Sequence, residues 1–227
     1  MDCQYCQGAG ARFRSSDGEE NAKIARAFRG HVVFEKGELI DSELQRANFV
    51  YVISEGMAHA FTQLPDGRRQ ILRYLYAGDM ATTLHGLEGH MRVRVRCLTD
   101  VRACQYDAGL LRDALYTRAD LLSHLMTDCL SAMAAQDEQI VNVGARTSEE
   151  ALACFLLMHY RRQIGADQPA GELIFPIRLS DIADTIGVTE VHAGRLMRRL
   201  EREGLVERRS SNILFVDRKA LETFATT

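Results

Sequence analysis

The chain has 227 residues, of which 46% are hydrophobic and 26% charged, enough to bury a core and too apolar for wholesale disorder. Its longest apolar run, Ala151 to Met158, is far too short to cross a bilayer, and no basic segment followed by a hydrophobic stretch opens the chain, so no membrane partner and a cytoplasmic location are expected. A net charge of −3 excludes a generally basic nucleic-acid coat but leaves room for a local basic face. Six cysteines (Cys3, Cys6, Cys97, Cys104, Cys129 and Cys154), spread widely in a reducing compartment, read as core packing, metal binding or redox sensing and not as a disulfide framework.

In chain order, residues 1–29 form a polar, cysteine-containing segment. Residues 30–107 then read as short strands at Val32–Phe34, Phe49–Ser54, Met57–Leu64, Gln70–Tyr76, Val93–Cys97 and Val101–Tyr106, with Gly37, Gly56, Gly67 and Gly78 between them. Pro65-Asp66-Gly67-Arg68 supplies the fixed and positive φ values of a tight reversal. Such a series of strands predicts a small antiparallel β-roll.

From about Ala108 the hydrophobic period lengthens. Leu115, Ala119, Leu122, Met126, Cys129, Met133, Gln136, Ile140 and Val143 recur at alternating steps of three and four, one stripe of a single long helix over 108–146. A second stripe, Leu111, Leu121, Leu125 and Ala132, is expected to pack on the roll. With no second long helix to cover the first stripe, Leu122, Met126, Cys129, Met133 and Ile140 predict a parallel homodimer seam. Cys129 and Cys154, on core stripes of their helices, read as small buried hydrophobes, and the same reading is available for Cys104.

Gly144 closes that helix, and Thr147-Ser148-Glu149-Glu150 restarts one with a capping box, opening a last domain over 147–227. The stretch from Gly165 to Gly171 reads as a turn-rich loop. Ser180 is expected to cap a short helix, Gly187 to supply a left-handed turn, and Thr189 to cap a second helix ending at Gly204. Ala183 is small where the two helices cross, and Ile182, Ile186, Val188, Ala193, Leu196 and Leu200 fill the space between them, a helix-turn-helix. The outer face of the second helix carries Glu190, Val191, His192, Arg195, Arg198, Arg199 and Arg202. Two strands around Ser210-Ser211-Asn212 form a wing whose Arg208 and Arg209 can hold phosphates. Glu201, Glu203 and Glu207 are too few to neutralise these six arginines, so the expected partner is double-stranded DNA, with Thr189, Glu190, Val191, His192, Arg195, Arg198, Arg199, Arg208 and Arg209 at the contact.

The order of "GELI", "YVISEG", "PDGRRQIL" and "AGD", followed by the long helix and "LSDIADTIGVTEVHAGRLMRRLEREGLV", resembles the CRP/FNR family of bacterial transcription regulators from about Gly30 to the end. The resemblance implies an α+β architecture: an antiparallel β-roll (a cyclic-nucleotide-binding-like jelly roll), a long dimerisation helix and a C-terminal winged helix-turn-helix binding a palindrome, with RNA polymerase as a further partner. Arg195 matches the family's guanine-contacting arginine. Val191 stands where well-known members carry a glutamate that reads cytosine.

Members that bind cyclic AMP carry a glutamate for the ribose and an arginine followed by Ser or Thr for the phosphate. Here the loop reads Gly78-Asp79-Met80-Ala81-Thr82-Thr83-Leu84-His85-Gly86, and neither Arg92 nor Arg94 precedes a hydroxyl residue, which argues against a cyclic nucleotide. Cys3-Gln4-Tyr5-Cys6 and Cys104 are instead similar to the oxygen-sensing FNR branch, whose iron-sulfur cluster uses N-terminal cysteines and one from the last roll strand. A further N-terminal cysteine of that branch is replaced here by Arg12, so a cluster needs Cys97, a noncysteine ligand such as Asp17, or an open iron. Thiol redox chemistry, another metal, a haem held by His85 and His90, a different ligand or none remain alternative sensors. A roll-based enzyme would need clustered His and carboxylate ligands; His31, His59, His85 and His90 lack metal-binding spacing, so no enzyme activity is expected.

Overall fold

The computed structural model describes residues 24–40, 49–81, 93–116, 119–165 and 167–225. The chain divides into two compact units, Met1–Ala135 and Gln136–Thr227.

In the first unit, β1 (Phe28–Phe34), β2 (Phe49–Glu55), β3 (Ala58–Gln63), β4 (Arg69–Leu75), β5 (Arg94–Cys97) and β6 (Val101–Asp107) form two antiparallel three-stranded sheets, ordered β1-β6-β2 and β4-β3-β5. The expected roll is present. Side chains alternate across each strand, and the inner set, including Phe34, Ile53, Ala60, Leu75, Val95, Cys97 and Ala103, makes one dry core. The β2–β3 turn requires Gly56 at φ 95, because an added Cβ would meet the Asp100 carbonyl oxygen at 2.3 Å. The Pro65-Asp66-Gly67 reversal closes through Leu64 N–H donating to the Arg68 carbonyl at 2.8 Å, while the Asp66 carboxylate accepts from Arg68 N and Nε.

A second cluster lies on the other face of the β1-β6-β2 sheet and comprises Ile24, Ala27, Val52, Cys104, Tyr106, Leu111 and Ala114. Two of these residues belong to α1 (Ala108–Leu115), which follows β6 without a linker; Asp107 caps it by accepting from Leu110 N at 3.0 Å and pairs with Arg29 at 2.9 Å. The sequence expectation of one helix from Ala108 onward is corrected here: α1 ends at Tyr116, and the long helix α2 spans Ala119–Gly144. Burial of Leu111 and Ala114 ties the first segment to the roll, so that segment belongs to the roll's packing. On α2, Leu122, Met126, Cys129, Met133 and Ile140 are all exposed, Ile140 by 69%. Cys129 is therefore not the buried hydrophobe expected for a single chain, and Cys154 is only partly buried. The side chains of Leu115, Leu121 and Leu125 lie outside those described.

The second unit contains α3 (Ser148–Gln163), β7 (Ala170–Ile174), α4 (Leu179–Ile186), α5 (Glu190–Arg202), β8 (Val206–Ser210), β9 (Ile213–Asp217) and α6 (Arg218–Phe224). The capping box at Thr147 and Glu150 forms as expected. Two elements were not anticipated. Strand β7 extends the wing hairpin into a sheet ordered β7-β9-β8, and α6 follows it, capped by Asp217. The Gln163 side chain fixes β7 by bonding both the N–H and the carbonyl of Ile174, each at 2.9 Å.

Candidate nucleic-acid interface

Helix α4 begins two residues earlier than expected. Arg178 is its N-cap and the buried Asp181 carboxylate accepts from the Arg178 N–H at 3.4 Å, so Ser180 lies inside the first turn and does not cap it. Gly187 ends the helix at φ 75, its N–H donating to the Ala183 carbonyl at 2.9 Å. Two residues later the Thr189 hydroxyl caps α5 by accepting from His192 N at 3.2 Å. This compact turn sets the angle between the helices, whose inner faces, Ile182, Ala183 and Ile186 against Ala193, Leu196, Met197 and Leu200, are buried. Gly194 sits where an added Cβ would lie 3.5 Å from Leu179 Cδ1, an ordinary contact.

The opposite face of α5 is exposed from its first residue. Glu190, Val191, Arg195, Arg198 and Arg202 point outward, Val191 by 65%. A shallow concavity is lined by Arg195, Arg198, Glu201 and Arg202. Among the described residues the Arg195 and Arg198 guanidinium groups have no ion pair, and Arg202 Nε reaches only the Arg198 carbonyl at 3.4 Å. A charged donor fork left without a counterion in an otherwise acidic chain is poised for an acceptor outside the chain, and a guanine edge or a phosphate supplies one.

Three of the expected contact residues are otherwise engaged. Arg199 pairs with Glu149 on α3 and, at 2.8 Å, with Glu203, and its guanidinium lies 5.6 Å from the centre of the Phe224 ring. Hydrogen bonding to Glu203, with the Glu149 charge nearby, holds its pKa above the usual arginine value. Arg199 is thus corrected from a groove-facing cation to a tether among α3, α5 and α6. Arg209 pairs with Glu207 at 2.9 Å and packs over Phe215, whereas Arg208 is exposed at the wing with no ion pair among the described residues. His192 Nε2 lies 3.1 Å from Ser148 Oγ, which holds the ring against the start of α3.

Sequence reasoning missed Glu149, Ser148 and Phe224, the partners that hold α5 in place. Glu149 is visible only as part of a capping box, and no local pattern links it to an arginine fifty positions away. Also unforeseen is Gln139 on α2, whose Nε2 donates to the Thr185 carbonyl of α4 at 2.6 Å.

Of the sensor candidates, Cys3, Cys6, Arg12, Asp17, His85 and His90 lie outside the described residues. Cys97 and Cys104 are both buried, but in different cores: Cys97 faces the inner core between the sheets, Cys104 the outer cluster with Ile24 and Tyr106. Burial pushes the Cys97 thiol up to about 12, with Glu38 and Asp100 adding to the rise, so Cys97 is a poor source of thiolate and is not brought to Cys104. Cys104 Sγ instead lies 3.7 Å from His31 Nδ1. Among the described residues no third His, Cys, Asp or Glu joins them in a group able to hold a metal.

Residues 31–118 match the cyclic nucleotide-binding domain family, and residues 150–224 match the Crp-like helix-turn-helix domain family. The chain belongs to the CRP/FNR family of transcription regulators. Among its CRP/FNR relatives, the transcriptional activatory protein AadR of Rhodopseudomonas palustris is 27% identical over 210 residues, covering 92% of this chain and 85% of that protein. The nitrogen fixation regulation protein FixK of Bradyrhizobium diazoefficiens is 27% identical over 194 residues, covering 86% and 81%. The fold is shared with FixK2 from Bradyrhizobium japonicum, at a TM-score of 0.73 and 24% identity over 86% of this chain and 96% of that one. It is shared too with a CooA mutant from Carboxydothermus hydrogenoformans, at a TM-score of 0.72 and 18% identity over 96% of each. In this CRP/FNR chain, no described helix is long and apolar enough to cross a membrane.

Proposed function

We propose that this CRP/FNR regulator acts as a homodimer that reads a palindromic operator through Arg195 and adjusts its occupancy to oxygen or redox state through a metal centre on Cys3, Cys6 and Cys104. The observation that carries the DNA half is the exposed face of α5, where Arg195 and Arg198 make no ion pair among the described residues while Arg199 and His192 hold the helix from behind. The exposed stripe on α2 supports two-fold assembly: a second copy is the occupant whose own stripe matches it, and an isologous contact places two reading helices on one duplex. Thr189, Arg198, Arg208 and Arg209 then lie toward phosphates, Val191 offers a methyl contact to thymine in place of a cytosine acceptor, and Glu190 or His192 supplies any further preference at that base pair. Regulation from a bound operator implies a contact with RNA polymerase as well.

For the sensor, the first described residue, Ile24, packs in the same cluster as Cys104, which supports a reading in which Cys104 works with cysteines that precede it in the chain. Thiolates at such a site suit an iron-sulfur cluster, whose loss on oxidation would change the regulator's affinity for DNA.

Arg195→Ala tests the DNA reading. A bidentate arginine–guanine contact discriminates by roughly 1 to 3 kcal/mol, or about 5- to 150-fold. Fluorescence anisotropy against a selected operator and its scrambled version should show selectivity falling by that factor with the dimer intact. Undiminished selectivity overturns the assignment. Anaerobic purification followed by absorption spectroscopy and iron and sulfide assays tests the sensor.

A further inference from the structure

The β4-β3-β5 sheet of the roll carries charge of one sign. Its three strands hold four arginines, Arg69, Arg73, Arg94 and Arg96, and no aspartate or glutamate, in a chain whose net charge is −3. The ladder decides which of these meet. Ala58, Ala60, Val95 and Cys97 face the core between the sheets, so their alternating neighbours, His59 and Phe61 on β3 with Arg94 and Arg96 on β5, share the opposite face. Phe61 lies directly across from Arg94, and three guanidinium carbons stand around its ring centre: Arg69 and Arg96 at 5.5 Å and Arg94 at 5.9 Å. We infer that Arg94 and Arg96, with Arg69 across the sheet, form a site for the phosphate group of a small molecule. The site is separate from α5 and turned away from the Cys97 thiol.

Like charges gathered this closely repel, and the quadrupole of one ring offsets only part of that repulsion. Among the described residues neither Arg94 nor Arg96 makes an ion pair, and Arg96 Nε is buried without an acceptor, a charged donor that an anion from outside the chain would satisfy. The carboxylates that flank these strands are engaged elsewhere: Glu38 accepts from Glu35 N at 2.9 Å, Asp100 from Lys36 N at 3.0 Å and Asp66 from Arg68 Nε at 2.8 Å, while Glu55 pairs with Arg102 at 3.6 Å. Phosphate fits better than carboxylate. Arg94 and Arg96 are two residues apart on one strand, about 6.6 Å along it, so one anion between them can accept from both forks at the ~2.7 to 2.9 Å of charge-assisted hydrogen bonds. A phosphate monoester carries a charge of about −1.5 to −2 at neutral pH and three acceptor oxygens, which matches these two cations and leaves an oxygen for Arg69; a carboxylate brings one charge and two oxygens. Phe61 is 1% exposed, so its ring gathers the guanidinium groups and does not stack on the ligand. All three arginines are half-buried, which leaves the site open to solvent.

The experiment uses the full chain as wild type, the double variant Arg94→Gln/Arg96→Gln and the single variant Arg94→Lys, with inorganic phosphate, glycerol 3-phosphate and potassium chloride at matched ionic strength. Scanning calorimetry reads the thermal midpoint and titration calorimetry the affinity. In chloride the double variant should melt at or above the wild type, because repulsion is relieved. At about ten times its dissociation constant, phosphate should raise the wild-type midpoint about 3 to 6 °C more than that of the double variant; the general stabilisation by excluded phosphate acts on both chains alike. Arg94→Lys, which keeps the charge and loses the fork, should bind phosphate about fivefold more weakly or worse, and this result also serves if the double variant fails to fold. Tighter binding of glycerol 3-phosphate than of inorganic phosphate assigns a phosphorylated metabolite, and the reverse assigns free phosphate. Equal phosphate-dependent shifts in wild type and double variant overturn the inference, as does undiminished affinity in Arg94→Lys. So does a double variant that melts below the wild type with no phosphate dependence in either, the mark of arginines that only cover Phe61. A wild type that binds neither probe, with operator affinity lost in the double variant, overturns it too and assigns these arginines to the DNA backbone.

Discussion

Arg195 and Arg199 stand one helical turn apart on α5 and differ only in their surroundings. Among the described residues the first makes no ion pair; the second pairs with two carboxylates and lies over a ring. Arg199→Ala should therefore weaken binding to operator and scrambled DNA alike, by loosening the seat of α5, and lower the thermal midpoint, while Arg195→Ala should change only selectivity; calorimetry beside anisotropy separates the two. His159 is a second residue with a readable consequence. It is fully buried against Phe155 and Phe175, and burial lowers its pKa to about 3. The folded state holds it neutral, whereas the unfolded chain takes up a proton near pH 6.5. Its contribution is therefore present above about pH 6.5 and is lost as pH falls toward 3, at most about 2 kcal/mol by pH 5. Denaturant midpoints of the wild type should drop from pH 7 to pH 5, and His159→Leu should flatten that slope; an equal slope in both would show that other groups govern it.

Among the elements, those with a period in their sequence were legible and those defined by distant partners were not. The roll strands alternate, the α2 stripe repeats every three and four residues, and α4–turn–α5 carries its caps at Gly187 and Thr189, all local signals. Strand β7 is five residues long and exists because β9 and Gln163 bond it, information absent from its own sequence. The break at Tyr116 escaped notice because apolar spacing runs through it in phase; burial of Leu111 and Ala114 against the roll decides where α1 ends. The exposed α2 stripe yields a prediction at this scale. Ile140→Asp would set two carboxylates face to face across a two-fold contact, each stripped of water. Sedimentation should show a monomer, and operator affinity should fall with dimer content. A dimeric Ile140→Asp variant would place the seam elsewhere on the helix.

For the whole molecule, the order of parts was readable from the sequence, while the assignment of a signal depends on residues 1–23 and on pairings such as His31 with Cys104, which are 73 positions apart. Single substitutions to Ser at Cys3, Cys6 or Cys104 should each remove the anaerobic chromophore and make operator affinity the same with and without oxygen. Cys154→Ser should alter stability alone. Equal affinity in air and argon for the wild type would separate the DNA-binding half from any role for the thiols.

The division between the two units falls between Ala135 and Gln136, inside α2 and not in a loop. Gln139, just past that division, donates to the Thr185 carbonyl of α4, a bond that lies wholly within the second unit. The last turns of α2 thus act as a handle on the reading pair: turning that handle carries Thr185, and with it the start of the turn into α5, along.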